Sequence, residues 1–164
     1  MLAGCAESLV EKGWRVVLPS RRYVPIPARD DTHSDERRAL WVAANWSEPE
    51  TLASKAAKAL DGPGDLLVAW VHDAYRDAVL RAIAGLLAPG APVVEVHGSD
   101  ELEPIDEPPN PVLDGHPTQQ VVLGRVTQGG GRRWLTHAEI VDGVRQAIDR
   151  ALAGKPPAVI QVGE

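Results

Sequence analysis

Residues 65–72, DLLVAWVH, restrict the fold of this chain more than any other stretch. Between its polar ends the run is apolar without interruption, and it is of strand length. A strand with one face in water alternates apolar and polar residues. A strand that does not alternate needs cover on both faces, the environment of a parallel strand packed between layers of helices. The flanking residues supply those helices. EPETLASKAAKAL precedes the run and stops at DGPG, and YRDAVLRAIAGLLAPG follows it, with its own proline and glycine stop. APVVEVHGS then reads as the next strand.

The same alternation extends towards the amino end. Residues 2–12 read as an amphipathic helix stopped by Gly13, and residues 14–19 as a buried strand that runs into Arg21 and Arg22. A polar, proline-bearing loop follows, RRYVPIPARDDTHSDERRA. Residues 40–46 (LWVAANW) predict a strand, and Ser47 predicts the N-cap of the following helix, whose first turn carries Glu48 and Glu50. The expectation is a single α/β domain over residues 1–164, with a doubly wound, mostly parallel sheet. Residues 98–118, acidic and rich in proline, predict an irregular loop. QQVVLGRVTQGGGRRWL predicts a β-hairpin with two extended arms around the triple glycine. THAE, residues 136–139, fits a capping box at the head of a helix that ends near Ala153, and AVIQV predicts a short final strand.

Composition narrows the partners. The chain has 164 residues and a formal net charge of -6, with a pI near 5.4. That balance argues against binding nucleic acid or an anionic membrane through bulk charge. No apolar run approaches the roughly 20 residues of a membrane span. The lone Cys5 fits a reducing compartment, and no basic leader with an apolar stretch opens the chain, so the expected location is cytoplasmic.

Several motifs together resemble an atypical group of bacterial short-chain-dehydrogenase-like proteins with the Rossmann fold. They are MLAG leading a helix, DLLVAWVH, HGS after a strand, and above all VLGRV with RRWLTHAEIVDGV. The resemblance covers nearly the whole chain. In that group MLAG is the tail of a longer GGTGMLAG turn that follows a first strand. Gly4 matches the third glycine, which permits close packing of helix on strand, and the glycines before it are absent. Such glycines let the backbone approach a pyrophosphate at a helix N-terminus. The resemblance therefore implies a strand and a glycine-rich turn upstream of Met1, with Met1 internal to that turn. It also implies that the sheet here either leaves two strands unpaired or closes the gap between the second and fourth strand positions, and unpaired edges favour a homodimer.

For ligands, the resemblance implies a nicotinamide dinucleotide. Arg21 and Arg22 stand where such proteins place an acidic residue on the adenosine ribose, and basic residues there favour the 2′-phosphate of NADP. Gly4, His72 and Gly98 match positions of the family motifs and complete the expected binding set. Solvated arginines at a strand end are the alternative. The usual catalytic pair is a tyrosine with a lysine four positions later. Tyr23 and Tyr75 are the tyrosines of the chain, and Pro27 and Val79 lie four positions on. Ordinary dehydrogenase chemistry is thus not expected.

His72 and His97 close successive predicted strands. As neighbours at the carboxyl edge of a sheet they would suit a general-base pair with Asp73 or Asp100, or a polar rim with no chemistry. No H-x-H or H-x-x-x-H spacing marks a metal site, and none is expected. GGGRRW lacks the Gly-Lys-Ser/Thr ending of a phosphate loop, so Arg132 and Arg133 are read as exposed hairpin residues. Trp134 is read as a buried anchor, and Trp41, Trp46 and Trp70 as core or interface, because the chain has no phenylalanine. Three functions follow: a dinucleotide-binding protein without the catalytic pair, a non-catalytic self-associating protein, or a small-ligand hydrolase or lyase using His72 and His97.

Overall fold

The computed structural model describes residues 2–23, 39–98 and 107–164. Met1, residues 24–38, which include Pro27, and residues 99–106, which include Ser99 and Asp100, lie outside the described residues. The elements run α1 (Ala3–Glu11), β1 (Val16–Ser20), β2 (Ala39–Ala43), α2 (Pro49–Leu60), β3 (Leu67–Ala69), α3 (Asp73–Ala84) and β4 (Val93–Gly98). They continue through β5 (Thr118–Leu123), β6 (Arg125–Gln128), β7 (Gly131–Trp134), α4 (His137–Leu152) and β8 (Val159–Val162). The protein is α/β, with a mostly parallel sheet and helices on both of its faces.

β3, β4, β5 and β8 form a four-stranded parallel sheet in that order, whereas β1 and β2 pair, also in parallel, as a separate two-stranded sheet. Alternation along β4 sorts the core. Val94 and Val96 face α1 and α4, in a cluster with Cys5, Leu9, Val144, Ala147 and Ile148. Val93 faces α3, in a cluster with Leu80, Val112 and Leu113. β4 is buried along its first five residues and β5 along all six.

Local chemistry explains most element ends. The Thr136 side chain accepts a hydrogen bond from Glu139 N–H while the Glu139 side chain accepts from Thr136 N–H, the capping box expected of α4. α2 starts later than Ser47. Glu48 is its N-cap and Pro49 its first residue, because proline's fixed φ and missing N–H suit that position. Gly129 and Gly130, at φ 62° and 82°, make the tight turn between β6 and β7. Both signs match the two-residue hairpin loops whose twist suits paired strands.

Three expectations need correction. The hairpin is shorter than QQVVLGRVTQGGGRRWL, since Thr118–Leu123 is instead β5, an inner strand paired on both edges. Its two glutamines disguise it, and both amides have partners: Gln119 donates to the carbonyls of Lys155 and Pro156, and Gln120 to that of Pro109. Of residues 98–118, expected as a loop, Gly98 closes β4, Thr118 opens β5, and Val112 and Leu113 are core residues, while residues 99–106 lie outside the described residues. Trp134 is not buried. It is 57% exposed, with the Arg125 guanidinium 4.2 Å above its ring. Trp41 is also on the surface, edge-on to Tyr23.

Candidate functional site

Between the two sheets lies a cavity of about 1050 Å³. Its long walls are β1 and β3, and α1 (Leu2, Cys5, Leu9) and α2 with α3 (Leu52, Ala56, Leu80) cover it on opposite sides. Chain connections set its polarity. α1 returns into β1 through the short link at Gly13, so the amino end of α1 lies by the carboxyl end of β1. There the mouth of the cavity collects Leu2, Ala3, Arg21, Arg22, Trp46, His72, Asp73 and Gly98. This is also where the strand order reverses, β1 leading outward to β2 and β3 leading the other way to β4, β5 and β8.

Arg21, Arg22, His72 and Gly98 are thus brought together at one mouth. Their settings differ. The Arg21 guanidinium lies 4.6 Å from the centroid of the Trp46 ring, and Trp46 leans on Tyr75 at 6.3 Å. Arg22 is exposed and its carbonyl accepts from the Trp41 indole N–H. His72 is the N-cap residue of α3, beyond the end of β3. Gly98 stands against the Trp70 indole, which an added Cβ would meet at 3.5 Å. Gly4 is in the first turn of α1, but the close approach it allows is to α4, where Val141 lies 3.2 Å from the position of a Cβ. In this structure the close packing at Gly4 is helix on helix. Cys5 is no nucleophile at neutral pH, since burial pushes its thiol up to about 11.

His97 does not join His72. β4 extends one residue past it, and its ring faces α3 and the segment before β5, 3% exposed. It belongs to a buried polar network that sequence reasoning missed. Arg76 Nη1 lies 3.2 Å from His97 Nδ1 and 3.5 Å from Glu95 Oε2. An arginine offers only hydrogens, so Nδ1 accepts and a neutral His97 carries its proton on Nε2. That nitrogen sits 3.6 Å from Glu95 Oε2 and 3.3 Å from Gln120 Nε2. Glu95 Oε1 accepts from Val112 N–H at 3.1 Å, and Gln120 Nε2 donates to Pro109 O at 2.7 Å.

Burial holds this network in an unusual state. It pushes His97 down to about 4, with the Arg76 charge acting in the same direction and Asp73 opposing. It pushes Glu95 above the usual carboxylate range, against the pull of the Val112 N–H and Arg76. At neutral pH His97 is a neutral ring beside Arg76 and Glu95, and it is Glu95 and Gln120 that hold Val112 and Pro109 to the sheet. The available signal was the alternation in VVEVHG, where Glu95 and His97 place two polar side chains on the same face as Val93.

The hairpin arginines are not a phosphate loop. Arg133 makes a two-pronged ion pair with Glu139 at 2.8 and 2.9 Å, which ties β7 to the first turn of α4. Among the described residues no three His, Cys, Asp or Glu side chains are grouped to hold a metal ion, and no helix is long and apolar enough to cross a membrane. No family model matches the chain, nor does any curated protein or any solved structure.

Proposed function

We propose that this domain binds a nicotinamide dinucleotide, NADP in preference to NAD, on a Rossmann-like short-chain-dehydrogenase scaffold that lacks the usual catalytic pair. One observation carries the reading. The residues that follow β1 and β3 and the last residue of β4 share a single mouth at the point where the strand order reverses, the place where open parallel sheets take their ligands.

The side chains present suit the adenosine end of such a ligand. Arg22 and Arg21 follow β1, where a guanidinium grips a 2′-phosphate with paired, charge-assisted hydrogen bonds. The Trp46 ring beside them offers a flat apolar face. Among the described residues no side chain caps the first amides of α1, and a helix N-terminus suits an anion. Gly98 and His72 line the wall towards β4. Bound nicotinamide would supply hydride chemistry, and the protein would supply binding and orientation. Tyr23 and Tyr75 are 68% and 41% exposed, and neither is followed by a lysine at the spacing that lowers a phenol pKa.

Titration of intrinsic tryptophan fluorescence tests the reading. NADP should shift the emission more strongly than NAD. The double variant Arg21→Glu, Arg22→Glu should weaken NADP by about 10- to 100-fold, the range for loss of hydrogen bonds to a charged group. Equal binding of both dinucleotides with the double variant unaffected would defeat it, as would no binding of either.

A further inference from the structure

The buried network between α3, β4 and β5 holds residues 109–113 by side chains alone, and we infer that these residues form a latch that opens when the His97 ring takes up a proton. The latch is independent of the ligand proposed at the mouth of the cavity.

The attachment of the segment carries the argument. Among the described residues no hydrogen bond between main-chain groups holds residues 107–113. Pro109 and Pro111 have no N–H with which to make one. The polar tethers are two side chains. Glu95 Oε1 accepts from Val112 N–H at 3.1 Å, and Gln120 Nε2 donates to Pro109 O at 2.7 Å. Apolar contact adds Val112 and Leu113, which pack with Leu80 and Val93. Beyond them the chain is fixed again, where Gly115 turns at φ 78° and His116 Nδ1 lies 2.8 Å from Ala91 O. A segment tethered in this way lifts without breaking any strand pairing, the mark of a unit that opens locally.

One ring stands between both tethers. His97 Nε2 lies 3.6 Å from Glu95 Oε2 and 3.3 Å from Gln120 Nε2, and Nδ1 lies 3.2 Å from Arg76 Nη1. A neutral ring suits Arg76 and Glu95, because it accepts at Nδ1 and donates at Nε2. A protonated ring donates at both nitrogens. Nδ1 then meets the guanidinium donor against donor and cation against cation, at a position 3% exposed. The charged ring needs the Glu95 carboxylate or water. Taking Glu95 draws it from Val112 N–H, and reaching water requires residues 109–113 to lift.

The surroundings of the ring set the direction. Burial is the largest influence and holds the closed ring down at about 4, against an ordinary 6.5. From α3, Arg76 acts with burial and Asp73 against it. β4 presents Glu95, itself raised by burial, drawn down by Val112 N–H and Arg76 and pushed up by Asp77 of α3. β5 presents the uncharged Gln120, and residues 109–113 carry no titratable side chain. Through His97 the closed state is therefore fully favoured above about pH 6.5, and opening gains as pH falls towards 4.

Hydrogen exchange at the Val112 amide reads the latch itself, because its bond to Glu95 breaks on opening. The whole chain is measured as wild type and as His97→Gln, with intrinsic rates removed. From about pH 7 to about pH 5, the two values of His97 predict that opening rises roughly 20-fold more in wild type than in the variant. At the lower pH the wild-type Val112 amide should also exchange faster than that of Val94, which needs global unfolding. Glu95→Gln keeps an acceptor for Val112 N–H, removes the second titrating group and should retain the response. An equal response in His97→Gln and wild type would overturn the latch, and so would its loss in Glu95→Gln. One common rate for Val112 and Val94 in wild type would also overturn it, with no variant needed, since acid would then unfold the whole chain.

Discussion

β1 and β4 start with the same two residues, Val-Val, and end in different surroundings. Val93 and Val94 of β4 are fully buried, whereas every residue of β1 is half-buried. Hydrophobicity does not separate them. β4 has a strand on each edge and a helix layer on each face, whereas β1 has β2 on one edge and the cavity on the other. Burial belongs to the neighbourhood, and an apolar strand is only as dry as its less complete side. β3 makes the point again, with a run of six apolar residues of which only Leu67–Ala69 pair as a strand.

The difference should be largest for core truncation. Ile148→Ala, at a 2% exposed position packed on β4 and β5, should cost about 2–5 kcal/mol in denaturant unfolding. Leu18→Ala, on half-buried β1 beside the cavity, should cost under about 1.5 kcal/mol, because its side chain is incompletely removed from water. Equal losses would break the comparison.

The buried network gives the paired half a pH signature. The folded pKa of His97, about 4, lies below its ordinary value of 6.5. Between those values the unfolded chain takes up a proton that the folded protein refuses. Stability from this group is therefore complete above about pH 6.5 and is lost as pH falls towards 4, by an amount on the order of 3 kcal/mol. Glu95, raised, works in the opposite sense, its contribution being lost as pH rises through its folded value. The difference between wild type and His97→Gln across pH 4–6.5 isolates the histidine. The variant should lose the rise in stability with pH that His97 contributes, and parallel profiles would remove His97 from the account.

Gly143 of α4 faces Val162 of β8 so closely that an added Cβ would overlap it. Gly143→Ala should cost about 1–3 kcal/mol by overpacking, with the melting transition reporting the loss. The smallest effect belongs to the cap of α4, where Thr136→Ala should cost about 0.5–2 kcal/mol. Thr136→Asn, which keeps an acceptor at that position, should recover most of it.

The parts of the fold legible in the sequence are those governed by local rules. Helices α1 to α4, the capping box, the glycine turn of the hairpin and the parallel character of residues 67–69 all follow from period, caps and turn residues. β5 was misplaced because Gln119 and Gln120 look like a solvated arm, and their burial depends on carbonyls some ten to forty residues away. Trp134 was misplaced for a related reason, since a large aromatic residue signals burial only if something covers it. At the site, Arg21, Arg22, His72 and Gly98 could be named from strand ends. Of the Glu95–Arg76–His97–Gln120 network only the shared face of Glu95 and His97 is legible, in the alternation of VVEVHG, because Arg76 and Gln120 join from α3 and β5 through tertiary packing.

Native-state hydrogen exchange of the protein alone tests most directly whether the sheet is divided. Val94 lies in β4, which is paired on both edges, whereas the peptide groups of Val17 and Val68 face the cavity. The account predicts that the Val94 amide exchanges only through global unfolding, slower than Val17 and Val68 by on the order of 10³-fold or more once intrinsic rates are removed. Protection of Val17 and Val68 equal to that of Val94 in dilute monomer would mean that β1 and β3 are already paired on those edges. The sheet would then be continuous, and the cavity between β1 and β3 would not exist.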